Sequence, residues 1–208
     1  MMNSEQSTIP PHHSGSTDDE ALPADFSAAV ESLYRARLRD ELVIGTIRPP
    51  QRLAPFSHAV GLEVDRGEDP LNPAPVSEGD AFGRLILLHG PQAEEAWDGA
   101  MRLVAYIQAD MDDEVARDPL LPDVAWQWLT EGLAKFGADH SNIGGTVTAT
   151  SSVRFGEIGG PPRAYQLELR ASWTAAEVSL THHVEAFADV LAHIAGLPPE
   201  GVRTIGPR

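Results

Sequence analysis

Residues 144–173 read GGTVTATSSVRFGEIGGPPRAYQLELRASW, and both halves alternate in polarity. In the first half Val147, Ala149, Val153 and Phe155 share one parity. Thr146, Thr148, Thr150, Ser152 and Arg154 share the other. In the second half Tyr165, Leu167, Leu169, Ala171 and Trp173 alternate with Gln166, Glu168, Arg170 and Ser172. Successive side chains of a strand point to opposite faces, so each half is a strand with one apolar and one polar side. A Gly- and Pro-rich connection makes them an antiparallel pair that packs one face on a core. The hydroxyl row is read as water-facing. Threonine favours half-exposed strands, threonine pairs stabilise neighbouring strands, and the facing Gln, Glu, Arg and Ser suit no single ligand.

The rest of the chain supplies that sheet with neighbours. ELVIGTI, FSHAVGLEVDR and GRLILLHG read as strands, the last apolar on both parities as a centrally placed, doubly covered strand would be. Residues 96–107 fit two periods. Helical spacing links Trp97, Ala100, Val104 and Ile107, whereas period two links Met101, Leu103, Ala105 and Ile107. A strand from about Met101 is the preferred reading. Helices are expected after Asp25, with stripe Phe26, Val30, Leu33 and Leu38, at MDDEVARD, and at PDVAWQWLTEGLAKFG. The stripe of that third helix is Trp126, Leu129, Leu133 and Phe136, with Pro122 in its first turn and Gly137 past its end. THHVEAFADVLAHIAG is the last, stopped by Pro198 and Pro199. The expected architecture is α+β: a mainly antiparallel sheet of five to six strands with helices packed on one face. Residues 1–23 read as a disordered acidic tail, 24–208 as a single α+β domain, and 67–80 as a long Pro- and Gly-rich loop.

Composition narrows function. The 208 residues carry a formal charge of -16 and no cysteine. Without cysteine there is no disulfide framework and no thiolate nucleophile or ligand, which suits a reducing cytoplasm. No secretory signal and no membrane-spanning apolar run is visible. An acidic chain repels the phosphate backbone, so nucleic-acid binding is disfavoured. The local exception is Arg35, Arg37, Arg39, Arg48 and Arg52, a cluster interrupted by Asp40 and Glu41.

Motifs that carry chemistry are scarce. His182, Glu185, Asp189 and His193 form one stripe of the last helix, but it lies opposite Phe187, Val190, Leu191 and Ile194, where an amphipathic helix is polar in any case. DMDDE (110–114) lacks the glycine and distant glutamate of a calcium loop, and its acids suit a helix N-terminus. GEIGGPP lacks the strand-to-helix setting of a dinucleotide fingerprint, and no P-loop or nucleophile elbow occurs. No catalytic residue, metal site or cofactor is expected. His58 and His89 stand on or beside apolar strands and are the polar handles of any pocket between sheet and helices. Trp126 and Trp128 cannot share one side of a helix, which makes Trp128 an interface candidate.

Seven segments, in order, carry a resemblance: RPPQRLAP (48–55), LLHGP (87–91), AWDGAMRLV (96–104), DPLLPDVAWQWL (118–129), GTVTATSS (145–152), LELRASWT (167–174) and AGLPP (195–199). Over about residues 25–200 the chain resembles an uncharacterised actinobacterial family known as domain of unknown function 3000. The resemblance implies a bacterial cytoplasmic protein and assigns no reaction or functional residue. It also implies a gene context beside a ribonuclease-D-like exonuclease and haem synthesis.

The resulting expectation is a non-catalytic cytoplasmic binding or regulatory module that contacts a protein partner. Its candidate binding residues are Arg48, Gln51, Arg52, His58, His89 and Trp128. Pro49 and Pro50 hold the RPPQRLAP segment extended, and Arg48 and Arg52 offer guanidinium forks to carboxylates or other anions. One alternative is a small-ligand-binding protein or enzyme with a pocket between sheet and helices. The other is an RNA-associated factor acting through the arginine cluster. Oligomeric state is left open.

Overall fold

The computed structural model describes residues 22–65, 81–157, 159–160 and 162–199. Residues 1–21 of the expected tail and the whole 67–80 loop therefore lie outside the described residues. Among the described residues there are four helices and six strands: α1 (Ala24–Leu33), β1 (Leu42–Ile47), β2 (Phe56–Val64), β3 (Ala81–Glu94), β4 (Gly99–Met111), α2 (Asp113–Ala116), α3 (Leu121–Lys135), β5 (His140–Val153), β6 (Arg163–Ala175) and α4 (Thr181–Ile194). The strands form one sheet in the order β1-β2-β3-β4-β6-β5, and every neighbouring pair is antiparallel. The α+β architecture expected from the alternation is the one found.

Register explains which side chains meet. Leu87 stands opposite Leu103, Leu103 opposite Trp173, and Ile107 opposite Leu169, so one parity of each central strand makes a continuous apolar face. The helices lie on that face, and Phe187, Val190 and Leu191 of α4 are fully buried against it. Burying a leucine completely stabilises the fold by about 2 kcal/mol, so this layer supplies the main driving force. Gly83 permits the contact: a Cβ there would lie 2.7 Å from the Phe187 ring.

Residues 96–107 are the β4 strand with its entry turn. Trp97 precedes the strand, and Met101, Leu103, Ala105 and Ile107 all face the core. Period two wins because β3 and β6 lie on either side and satisfy the backbone along the strand. Three details differ from the periodicity reading. The buried residues of α3 are Leu121, Ala125, Leu129, Gly132 and Leu133, while Trp126 and Phe136 flank them half-buried. α1 begins after Pro23, Asp25 lies in its first turn, and Leu38 falls beyond its end. β3 has helices on one face only. On its other face Leu88 is buried, Ile86 half-buried and Arg84 exposed.

That other face has no helix among the described residues, and several of its polar groups bond to one another. Arg102 donates from Nη2 to Ser172 Oγ at 2.7 Å and from Nη1 to the Asn142 carbonyl at 2.9 Å. The Tyr106 hydroxyl lies 2.9 Å from Glu168, which also pairs with Arg170 at 2.8 Å. Thr146, Thr148, Thr150 and Ser152 are all exposed beside this network, so the hydroxyl row does face solvent.

Candidate functional site

β1 and β2 are joined by residues 48–55, RPPQRLAP. Pairing between the two strands ends at Ile47 with Ala59, so Phe56 and His58 of β2 run past β1 and pair only with β3. β3 and β4 continue beyond this level as far as Glu94 and Gly99, so the connection turns at the start of β2. Arg48, Gln51 and Arg52 are exposed on it, as is Leu53 at 55%. Two prolines restrict the backbone, and Arg52 sits at φ 66°, a left-handed conformation uncommon for a residue with a side chain. Ser57 Oγ donates to the Pro50 carbonyl at 3.4 Å and ties the segment back to β2.

The arginine cluster divides into two kinds. Arg35 pairs with Glu31 at 3.0 Å, and Arg39 pairs with Glu41 at 3.0 Å while donating to the Pro198 carbonyl. The Arg39 guanidinium holds the Glu41 carboxyl below its ordinary value. Arg48 and Arg52, by contrast, have no ion-pair partner among the described residues. Arg37 likewise is exposed with no ion pair among the described residues, only its backbone N–H being engaged by Glu185, so three of the five carry unused forks, and Arg48 and Arg52 are the two on the β1–β2 connection.

His58 near the start of β2 is half-buried, with its Nε2 2.8 Å from the Tyr34 hydroxyl. The same hydroxyl lies 2.5 Å from Thr46 Oγ1. One phenol can donate to an imidazole and accept from a threonine, so the three groups satisfy each other. Burial pushes the His58 pKa down, which keeps the ring neutral near pH 7.

His89 is fully buried in β3, packed against the Phe26 and Phe56 rings, which also touch each other, with Nε2 3.1 Å from Asp25 Oδ2. Burial raises the Asp25 pKa, but the Phe26 N–H and His89 outweigh it and hold the carboxyl below its ordinary value. The two histidines thus clasp α1 at its two ends, His89 through Asp25 and His58 through Tyr34. Trp128 is half-buried with its ring stacked on His193 of α4 at 5.5 Å. The structure places His58 against Tyr34 on the helix side of β2, and leaves Trp128 on the helix layer.

The sequence reading missed Tyr34 and Thr46, which give His58 its role, and also His183. That histidine is fully buried and accepts from Trp173 Nε1 at 3.1 Å. Burial, with a smaller contribution from the nearby His140 and His182, lowers its pKa to about 4. A signal existed: His183 shares the helical spacing of Phe187, Val190 and Ile194 and so falls on the apolar side of α4.

The polar stripe of α4 borders a groove of about 850 Å³ between α4, the end of α3 and the turn before β1. Its volume is in the small-ligand range. Its carboxylates are already engaged, Asp189 with Lys135 at 3.1 Å and Glu185 with the Arg37 N–H at 3.0 Å. No group of three or more metal-ligating side chains occurs among the described residues. His58 and His89 do not line it.

Fold and site together define an α+β protein with one solvated sheet face and an arginine-bearing connection between β1 and β2. Over residues 22–203 the chain matches the model of the family described as protein of unknown function (DUF3000), and it belongs to that family. Comparison with curated proteins and with solved structures returns no match. No helix among the described residues is long and apolar enough to cross a membrane.

Proposed function

We propose that this protein is a non-catalytic cytoplasmic binding module that captures a carboxylate-bearing segment of a partner protein on the hairpin 48–55. The observation that carries the reading is the pair of exposed, internally unpaired guanidiniums of Arg48 and Arg52 on a proline-braced connection. Guanidinium forks bind carboxylates through two parallel hydrogen bonds, and a restricted backbone loses less freedom on binding. Leu53, exposed beside them, adds apolar contact. The chain as a whole carries a net charge of -16, so two adjacent unpaired cations stand out as a place for an acidic segment. The same net charge weighs against the RNA-associated alternative, and two of the five clustered arginines, Arg35 and Arg39, are already paired with acids. Engagement of His58 by Tyr34 and of His89 by Asp25 weighs against the enzyme alternative.

The test is native capture on the immobilised full chain, compared with an Arg48→Ala/Arg52→Ala double variant of equal melting temperature. A stoichiometric partner should bind the parent, weaken by roughly tenfold or more with the variant, and weaken as salt is raised. Equal capture by both chains, or recovery of no partner, would overturn the proposal.

A further inference from the structure

The two edges of the sheet differ in how they meet a passing strand. β1 is six residues long, preceded by Asp40 and Glu41 and followed by Arg48, Pro49 and Pro50. Short length, charge and proline all discourage edge pairing. β5 at the opposite edge spans 14 residues, and from Ser141 to Val153 it contains no charged residue and no proline. Its register with β6 is irregular only between Ser141 and Gly144; from Gly144 to Val153 it runs unbroken against Ser172 to Arg163. β5 packs on β6 and α3, and no strand lies beyond it among the described residues. That leaves roughly 30 Å of regular backbone edge available for pairing.

We propose that β5 is a self-association edge, on which the β5 strand of a second copy pairs antiparallel about a two-fold axis perpendicular to the sheet. Charge selects the occupant. A chain with a net charge of -16 repels its own copy over most of its surface, yet 22% of its residues are charged and none falls between Ser141 and Val153. Two copies can approach closely there with least repulsion, whereas a basic partner would find more attraction elsewhere on so acidic a surface.

Side chains are self-complementary as well. A perpendicular two-fold axis places each face of the strand against the same face of its copy. Thr146, Thr148, Thr150 and Ser152 then meet a second hydroxyl row, a stabilising kind of cross-strand pair. On the helix side, Val147 is half-buried, Ala149 exposed and Val153 45% exposed, so apolar surface left open in one chain gains cover from the other. Such an isologous contact closes at two copies and does not propagate from this edge.

Sedimentation of the full chain over a wide concentration series should show a monomer–dimer equilibrium. Thr146→Lys/Thr148→Lys should weaken the dimer by roughly tenfold or more, because like charges then face each other across the strands. This happens although the added lysines lower the net negative charge and relieve general repulsion. Val43→Lys on β1 should leave the equilibrium unchanged. The absence of native cysteine gives a second readout. Among Thr146→Cys, Thr148→Cys and Thr150→Cys, at least one should form a reducible cross-linked dimer under mild oxidation, and Val43→Cys should not. A monomer at every concentration, a dimer unaffected or tightened by the paired lysines, or cross-linking confined to Val43→Cys would each overturn the proposal.

Discussion

His183 accepts the Trp173 indole N–H at its Nδ1, so in the neutral ring the proton sits on Nε2, which has no hydrogen-bond partner among the described residues. Protonating Nδ1 would set two donors against each other inside the core. Burial is the larger reason the charged form is disfavoured, and the pKa falls from 6.5 to about 4. In the unfolded chain the same ring titrates near 6.5. Between these values the unfolded state binds a proton that the folded state does not. Stability is therefore full above about pH 6.5, declines as the pH falls toward 4, and loses about 3 kcal/mol from this group. Denaturant unfolding from pH 7 to 4.5 should show that decline in the parent, with a shallower slope in His183→Gln. Equal slopes would mean that another group carries the titration. The depressed carboxyls of Asp25, Glu41 and Glu168 act in the opposite sense of charge, losing their contribution as the pH falls through the carboxylate range.

α1 shows how element placement depends on contacts far apart in sequence. Its apolar residues Phe26, Ala29 and Leu33 are buried, but its ends are fixed by polar clasps, Asp25 to His89 and Tyr34 to His58. Ser32 adds a third tie, since its hydroxyl accepts the Leu180 N–H at 2.7 Å. Losing one clasp should cost about 1 kcal/mol, more for Asp25→Asn, where a buried imidazole loses its carboxylate. Hydrogen exchange should then quicken over residues 24–33 in Asp25→Asn and in Tyr34→Phe, while α4 amides keep their protection. Unchanged exchange in α1, or uniform acceleration of α4 as well, would show that these clasps do not anchor it. These clasps also mark where the sequence stopped being legible. β5, β6 and α4 could be read because their alternation or helical stripe is set by one core and repeats along the chain. The paired status of His58 and His89 could not, because their partners lie 24 and 64 positions away. Trp126 does pack against the core but only half-buried: it lies over Gly145, where a Cβ would come within 2.8 Å of its ring, on an edge strand that leaves it half-open. Arg48 and Arg52 were legible as a pair, but their lack of internal acids required the fold.

At the scale of the whole molecule the excess of acidic over basic residues is the dominant electrostatic fact. A net charge of -16 opposes compaction through self-repulsion, while the exposed pairs Arg35–Glu31 and Arg117–Asp113 contribute little to hold it together. Raising ionic strength from about 0.01 to 0.15 M shortens the screening length from about 30 to 8 Å, so distant like charges cease to interact while buried contacts are unaffected. The native state should therefore gain stability with salt, by about 1 kcal/mol, which for a chain of this size raises Tm by about 2–4 °C. The measurement belongs at low, fixed protein concentration, because salt would also tighten any self-association and raise Tm by mass action. A Tm that falls with sodium chloride would show that specific ion pairs, such as Lys135–Asp189 and Arg39–Glu41, outweigh the general repulsion. A rise that persists at the lowest workable concentration assigns the effect to the single chain, and leaves the hairpin guanidiniums as the place where salt weakens an interaction instead of strengthening one.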